Sequence, residues 1–297
     1  MSVLPWHLLP DSSSLGPRDE LLIAGCELDD LAATYGTPLF VYDEAHLRAR
    51  CREAVAAFGD GVAYAAKAFL CAAMARLVHE EGMQIDVASG GELHLALTAG
   101  VPASRLVLHG NNKSDDELSR ARDAGVGRIV VDSFDEMDRL EGMHVADGAV
   151  PTILLRITPG IEAHTHEYVM TGQDDSKFGF GLSAGDAERA VDRALASDAV
   201  DLVGIHAHIG SQVFVASFFE QAVEALAPFI NRLGLAELSI GGGLGVAYVE
   251  GEAAPTIEEW GRAVTDACAA AGITARVSAE PGRAIAAAAG ITLYRVG

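Results

Sequence analysis

The sequence predicts an α/β fold of the (β/α)8 barrel type, and three observations predict it. Eight short apolar runs recur along the chain, helix-like segments separate them, and polar, charged or glycine-rich motifs follow directly after several runs. The runs are Ala63 to Ala66, Ile85 to Ala88, Leu106 to Leu108, Ile129 to Val131, Ile153 to Ile157, Leu202 to Ile205, Leu238 to Ile240 and Arg276 to Ala279. Helical patterning is expected over Cys71 to Glu81, Glu92 to Ala99, Asp115 to Ala124, Ala187 to Ala196, Phe218 to Leu233 and Ile257 to Ala271. Periodicity does not report closure, so an open, doubly wound sheet is the alternative.

The first forty residues stand outside this rhythm. Thr37 to Tyr42 reads as a strand leading into a helix over Glu44 to Ala57, and Ile291 to Val296 begins another β-like run. The expected organisation is an N-terminal segment, 1–38, packing with a β domain of which 289–297 is the truncated start, around a barrel over 39–288.

The chain has 297 residues, half of them hydrophobic, enough to bury one large core. Its formal charge of −21 would repel nucleic acid and acidic membrane surfaces, so neither partner is expected. Cys26, Cys51, Cys71 and Cys268 show no CxxC pair and read as thiols in a reducing compartment. Met1 to Gly16 lacks the basic and apolar segments of a secretory signal, and no run approaches about 18 apolar residues. A soluble cytoplasmic protein is expected.

Lysine is scarce. Only Lys67, Lys113 and Lys177 occur, against eighteen arginines. A guanidinium serves wherever a solvated positive charge suffices, but it cannot lose a proton to attack a carbonyl. A retained lysine therefore suggests amine chemistry. Lys67 ends the apolar run Gly61 to Ala66 and is the candidate for an amine delivered from a buried strand to a pocket; a solvated lysine at a strand end is the alternative.

Further candidates follow other runs. Ser89 and Ser114 are natural helix N-caps, with Glu92 and Glu117 placed to complete capping boxes. Gly241-Gly242-Gly243-Leu244-Gly245, after the seventh run, lets backbone amides approach a phosphate, or is simply a tight turn. His206 and His208 form an HxH pair that could ligate a metal, but a ring stacked on a flat cofactor explains His208 more economically, and no metal is expected. Glu280-Pro281-Gly282-Arg283 puts a carboxylate and a guanidinium at one barrel mouth, where a Glu beside a pyridine nitrogen would favour its protonated form.

With Lys67, the HxHIGSQ segment, the glycine cluster and the Glu-Pro-Gly-Arg turn in this order, the chain resembles the barrel-type pyridoxal-phosphate decarboxylases of the alanine racemase fold, the diaminopimelate branch most of all. Tyr64 to Ala68, Ser89 to Leu93, Gly110 to Ser114 and His206 to Gln212 are similar to its motifs. So are Arg156 to Gly160, Ala163 to His166, Thr171-Gly172 and Ser176 to Gly179, which favour diaminopimelate over ornithine as substrate. The resemblance implies pyridoxal 5'-phosphate bound covalently by Lys67, stacked by His208 and paired at its ring nitrogen with Glu280. It implies phosphate held by Ser211, Gly241, Gly242, Gly243 and the Glu280, Pro281, Gly282, Arg283 backbone, and a substrate carboxylate met by Arg283. Asp86 and Arg156 would support the cofactor and substrate. The implied reaction removes carbon dioxide from the D-configured end of meso-diaminopimelate and releases L-lysine, in a homodimer when full length. The family's second β-rich domain and its Cys-Glu-Ser motif are missing from the sequence, so activity is expected only of a longer chain. A decarboxylase of another basic amino acid and a non-catalytic cofactor-binding barrel are the alternatives.

Overall fold

The computed structural model describes residues 4–144, 148–161 and 177–297. Eight parallel strands form the barrel, β1 (Ala63–Ala65), β2 (Gln84–Val87), β3 (Leu106–Leu108), β4 (Arg128–Val131), β5 (Thr152–Thr158), β6 (Asp201–His206), β7 (Glu237–Ser239) and β8 (Arg276–Ser278), and the short strand Phe180–Gly181 pairs parallel with the end of β5. Each barrel strand pairs with the next in sequence order. The sheet closes because Ala63 N donates to Ala279 O at 3.0 Å and Ala65 N to Pro281 O at 3.2 Å, joining β1 to the chain just after β8. The closed barrel, and not the open sheet, is the fold.

Helices α1 (Ala72–Glu80), α2 (Gly90–Thr98), α3 (Asp115–Ala124), α4 (Phe134–Gly142), α5 (Asp186–Ala196), α6 (Ser217–Leu233), α7 (Ile257–Ala270) and the single turn α8 (Arg283–Ala286) follow the strands in turn. The sequence reading did not single out α4, whose apolar face is only Met137 and Leu140 with Phe134 at the edge. Its start was nevertheless marked: Ser133 Oγ accepts from Glu136 N, a serine cap with Glu three residues on. The capping box expected at Ser114 and Glu117 is present. At Ser89 the serine caps as expected, but the Glu92 carboxylate accepts from Ala88 N rather than from the cap residue, so the reciprocal half is displaced by one residue.

Strand alternation layers the barrel interior. Outward side chains such as Ile85, Leu106, Ile129, Ile153 and Leu238 join the helices in one large core. Inward, Ala63, Val107, Val130 and Leu154 pack with Val203 in a separate cluster. Below it the Arg128 and Arg276 guanidiniums share the Glu237 carboxylate at 2.5 and 2.8 Å. One pleat repeat above it, the inward positions turn polar: Asp86, Asp132, Arg156, His206 and Ser239 stand at or just beyond the carboxyl ends of their strands. The candidate site therefore begins where the apolar plug stops.

Outside the barrel, Leu39–Tyr42 pairs antiparallel with Gly290–Leu293, and Ser14–Leu15, Leu21–Ile23 and Cys26–Glu27 make a small antiparallel sheet. The helix Glu44–Phe58 packs against α7, with its N-terminus capped by Asp43. Ala163 to His166, Thr171-Gly172 and Ser176 lie outside the described residues.

Candidate active site

The strand ends line a cleft of about 810 Å³ that includes Lys67, Asp86, His109, Arg156, His206, His208, Ser211, Gly242, Gly243, Glu280, Pro281, Gly282 and Arg283. Nearly every candidate residue is thus brought to one place. Lys67 sits on the turn Ala66–Ala68 that follows β1. Its side chain is exposed to the cleft, as expected of an amine delivered from a buried strand to a pocket, since the strand ends at Ala65, two residues before it. Gly241 departs from the expectation. It lies behind the lining, where an added Cβ would come within 2.5 Å of Ala207 O. Its φ of +66° and its carbonyl, which accepts from Glu280 N at 2.8 Å, make it a packing element under the turn.

Glu280 is the centre of the site. It is buried rather than an exposed turn charge, and both carboxylate oxygens have partners: Oε2 meets His206 Nε2 at 3.0 Å, and Oε1 accepts from Ser239 Oγ at 2.7 Å. His109 Nε2 approaches the same carboxylate at 3.5 Å and Asp86 at 3.6 Å. Burial alone would raise the Glu280 carboxyl, but the two imidazoles outweigh it and hold it well below the usual range. Asp86 moves the other way, pushed well above its ordinary value by burial and then by the Glu280 charge, with Lys67 opposing. The two acids are therefore divided into one that is ionised and one that keeps its proton longer.

The HxH pair also divides. Three potential ligand atoms do converge within 4.8 Å, but they belong to His109, His206 and Glu280, and His208 is not among them. His208 instead lines the cleft, with Nδ1 accepting from Gly242 N at 3.2 Å. Burial, with Arg156 and Lys67 nearby, pushes its imidazole well below the ordinary value, so the ring is neutral.

Arg156 is held between Asp132, at 3.4 Å, and the Phe178 ring, 4.4 Å from the guanidinium carbon. Asp132 also accepts from Gly179 N at 3.1 Å. Arg283 donates to Tyr248 OH at 2.6 Å and to Ser211 Oγ at 3.4 Å. Lys113 is not a cleft amine: its buried Nζ donates at 2.7 Å to each of Gly110 O, Val130 O and Glu136 Oε1. Sequence reasoning weighed His206 only as a metal ligand and did not select His109, Ser239, Asp132 or Tyr248 as site residues. The available signal was inward parity, since Asp132, His206 and Ser239 lie on the same faces as residues already selected.

Pyridoxal phosphate fits this set of groups. The cleft combines a primary amine, an enclosed carboxylate suited to a protonated pyridine nitrogen, a neutral flat ring, and a hydroxyl, guanidinium and glycine turn suited to a phosphate. Where Gly242 and Gly243 stand, an added Cβ would lie 2.2 Å from Glu280 O and 2.1 Å from Gly210 O, so only glycine lets these loops close beneath the cleft.

Residues 44–287 match the family model described as pyridoxal-dependent decarboxylase, pyridoxal binding domain, and the chain belongs to that family. Its curated relatives narrow the branch. Diaminopimelate decarboxylase of Mycobacterium tuberculosis is 48% identical over 300 residues, covering 94% of this chain and 67% of the relative. That of Bacillus subtilis is 42% identical, covering 97% and 70%. Among solved structures, diaminopimelate decarboxylase from M. jannaschii aligns with a TM-score of 0.87 at 29% identity, covering 95% of this chain and 69% of the other. That from Helicobacter pylori, complexed with L-lysine, aligns at 0.83 and 29%, covering 91% and 71%. A lysine/ornithine decarboxylase from Vibrio vulnificus, at 23% identity and 0.73, shares the fold.

Proposed function

We propose that this chain supplies the cofactor-binding barrel of a pyridoxal-phosphate carboxy-lyase that decarboxylates meso-2,6-diaminopimelate to L-lysine and carbon dioxide. The observation that carries this is the 48% identity to diaminopimelate decarboxylase over nearly the whole chain, joined to a cleft whose groups match the cofactor.

Pyridoxal phosphate, when bound, supplies an aldehyde for exchange with the substrate amine and a ring that draws in the electron pair left on Cα as carbon dioxide departs. The chain's own groups do the rest. Lys67 is the amine that holds the cofactor and yields to the substrate amine. Glu280, kept ionised, stabilises positive charge on a ring nitrogen, and His208 offers a neutral face for stacking. Ser211, Gly242, Gly243 and the Pro281 to Arg283 turn hold the phosphate, with Gly241 beneath them. Arg283 and Arg156 bind carboxylate by paired donors. Asp86, whose carboxyl is pushed well above its ordinary value by burial and the Glu280 charge, sits where the Lys67 charge bears on it. Departure of carbon dioxide leaves the electron pair to be quenched by one proton at Cα, which completes the exchange of a carboxylate for hydrogen.

The reading extends to a homodimer, supported by the family resemblance, and to the cytoplasm, supported by four cysteines that are all free thiols. No helix among the described residues is long and apolar enough to cross a membrane. We also read 1–38 and 289–297 as a layer distinct from the barrel, supported by the strands of each, Ser14–Leu15, Leu21–Ile23 and Cys26–Glu27 in one sheet and Gly290–Leu293 in another, lying outside the barrel sheet.

The test is to incubate the protein with pyridoxal phosphate, reduce with borohydride and map the adduct by peptide mass spectrometry, then assay diaminopimelate, ornithine and arginine side by side. A single adduct at Lys67 and lysine formed from diaminopimelate are expected. Labelling scattered over Lys67, Lys113 and Lys177 overturns the site; turnover of ornithine or arginine in preference overturns the substrate.

A further inference from the structure

Glu280 presents a physical problem. Its carboxylate is 7% exposed, at the mouth of a barrel whose nearest neighbours include a second carboxyl, Asp86. A carboxylate so enclosed tends to take up a proton unless donors oppose it, and a protonated Glu280 would be a hydrogen-bond donor unable to stabilise a positive ring nitrogen. Removal of the opposing donors should therefore change the chemistry of the site without touching Lys67.

We propose that His206 and His109 are positioning residues for Glu280: His206 donates its Nε2 proton to one carboxylate oxygen, His109 faces the other, and together they keep the enclosed carboxylate charged and aimed into the cleft. This rests on the reading of the cleft as a pyridoxal-phosphate site. Geometry assigns the tautomer. At 3.0 Å an ionised Glu280 Oε2 can only accept, so the proton lies on His206 Nε2. His206 Nδ1 is then the bare nitrogen, and it has no hydrogen-bond partner among the described residues. His109 Nε2 is likewise unpartnered, 3.5 Å from Glu280 and 3.6 Å from Asp86, midway between the two acids. The imidazoles meet edge to face, with centroids 4.9 Å apart, so two positive charges there would repel. Burial lowers the His206 imidazole despite Glu280, in keeping with a neutral donor.

The groups bearing on Glu280 come from most of the barrel: His206 and Ser239 from β6 and β7, His208 from just after β6, His109 from just after β3, Asp86 from β2 and Arg156 from β5. Ser239 donates to Oε1 as well. It is fixed in turn, because Gly241 N donates to its hydroxyl at 3.2 Å. His206 alone satisfies Oε2 within hydrogen-bond distance among the described residues.

The experiment compares the cofactor-loaded full chain with His206→Leu, His206→Gln and His109→Leu. Glutamine keeps a donor near the Nε2 position and leucine keeps the volume without one. The readout is the visible absorbance of the bound cofactor as a function of pH, with kcat and KM for diaminopimelate beside it. In His206→Leu the acid-side transition is expected to move up by about one pH unit or more, and kcat at neutral pH to fall about tenfold or more, with KM changed by less than about threefold. His206→Gln should recover most of both, and His109→Leu should shift the transition in the same direction by less. A loaded His206→Leu with the parent's absorbance profile overturns the proposal. If His206→Leu does not fold by thermal melting, His206→Gln and His109→Leu decide it: a parent-like profile in His109→Leu together with loss of the cofactor band in His206→Gln overturns it. Failure of the parent to form the Lys67 adduct overturns the functional reading instead.

Discussion

Lys113 offers the sharpest test of the reasoning from burial. Its side chain and that of Glu136 are each 2% exposed, 2.7 Å apart, and the amine spends its other two protons on Gly110 O and Val130 O. Glu136 uses its second oxygen to accept from Asp132 N at 3.0 Å, next to the carboxylate that holds Arg156. Burial lowers the Lys113 amine and raises the Glu136 carboxyl, both against ionisation, so the mutual attraction does not recover the full cost of desolvation. Lys113→Met fills the volume but strands a buried carboxylate and two carbonyls. The expected loss is about 3–5 kcal/mol of unfolding free energy, the range for breaking a buried pair from one side. Adding Glu136→Gln removes the stranded charge while keeping an oxygen for Asp132 N, and should recover about 1–3 kcal/mol of that loss, the remainder reflecting Gly110 O and Val130 O without the amine. Urea titration followed by circular dichroism, with the slope checked for constancy, measures both. A single variant within about 1 kcal/mol of the parent, or a double variant as unstable as the single, would refute the argument that the pair is a buried, mutually dependent unit.

Other outcomes follow from the same geometry. Asp86→Asn should be more stable than the parent at pH 8: a carboxyl whose folded value is raised contributes its stability below its unfolded value, near 3.9, and loses it as pH rises, so the gap between the two proteins should close toward pH 4. Melting temperatures of both across that range check the sign, and a gap that widens on acidification refutes it. Gly242→Ala drives a Cβ to 2.2 Å from Glu280 O and should weaken cofactor retention about tenfold or more, read by dialysis and absorbance. Tyr248→Phe removes the oxygen that accepts from Arg283 and should cost about 0.5–1.5 kcal/mol of substrate binding, seen as a higher KM with kcat nearly unchanged.

By itself the sequence determined the eight strand runs, most of the helices and the placing of chemistry after the runs. These are local signals: a fully covered parallel strand must be apolar on both faces, and a helix announces its face and its cap within a few residues. It also singled out Lys67, His208 and Glu280, through residue types whose chemistry few alternatives supply. The tertiary structure decided what depends on residues distant in sequence. Closure rests on Ala63 N reaching Ala279 O, a pairing no periodicity encodes. The separate fates of the lysines, one open to the cleft and one spent inside a three-acceptor cage, depend on which carbonyls and carboxylates fold around each amine. The same holds for Glu280, whose partners His206, Ser239 and His109 come from three other strand ends. Its charge is set by the distances among them, and those distances exist only once the barrel has closed.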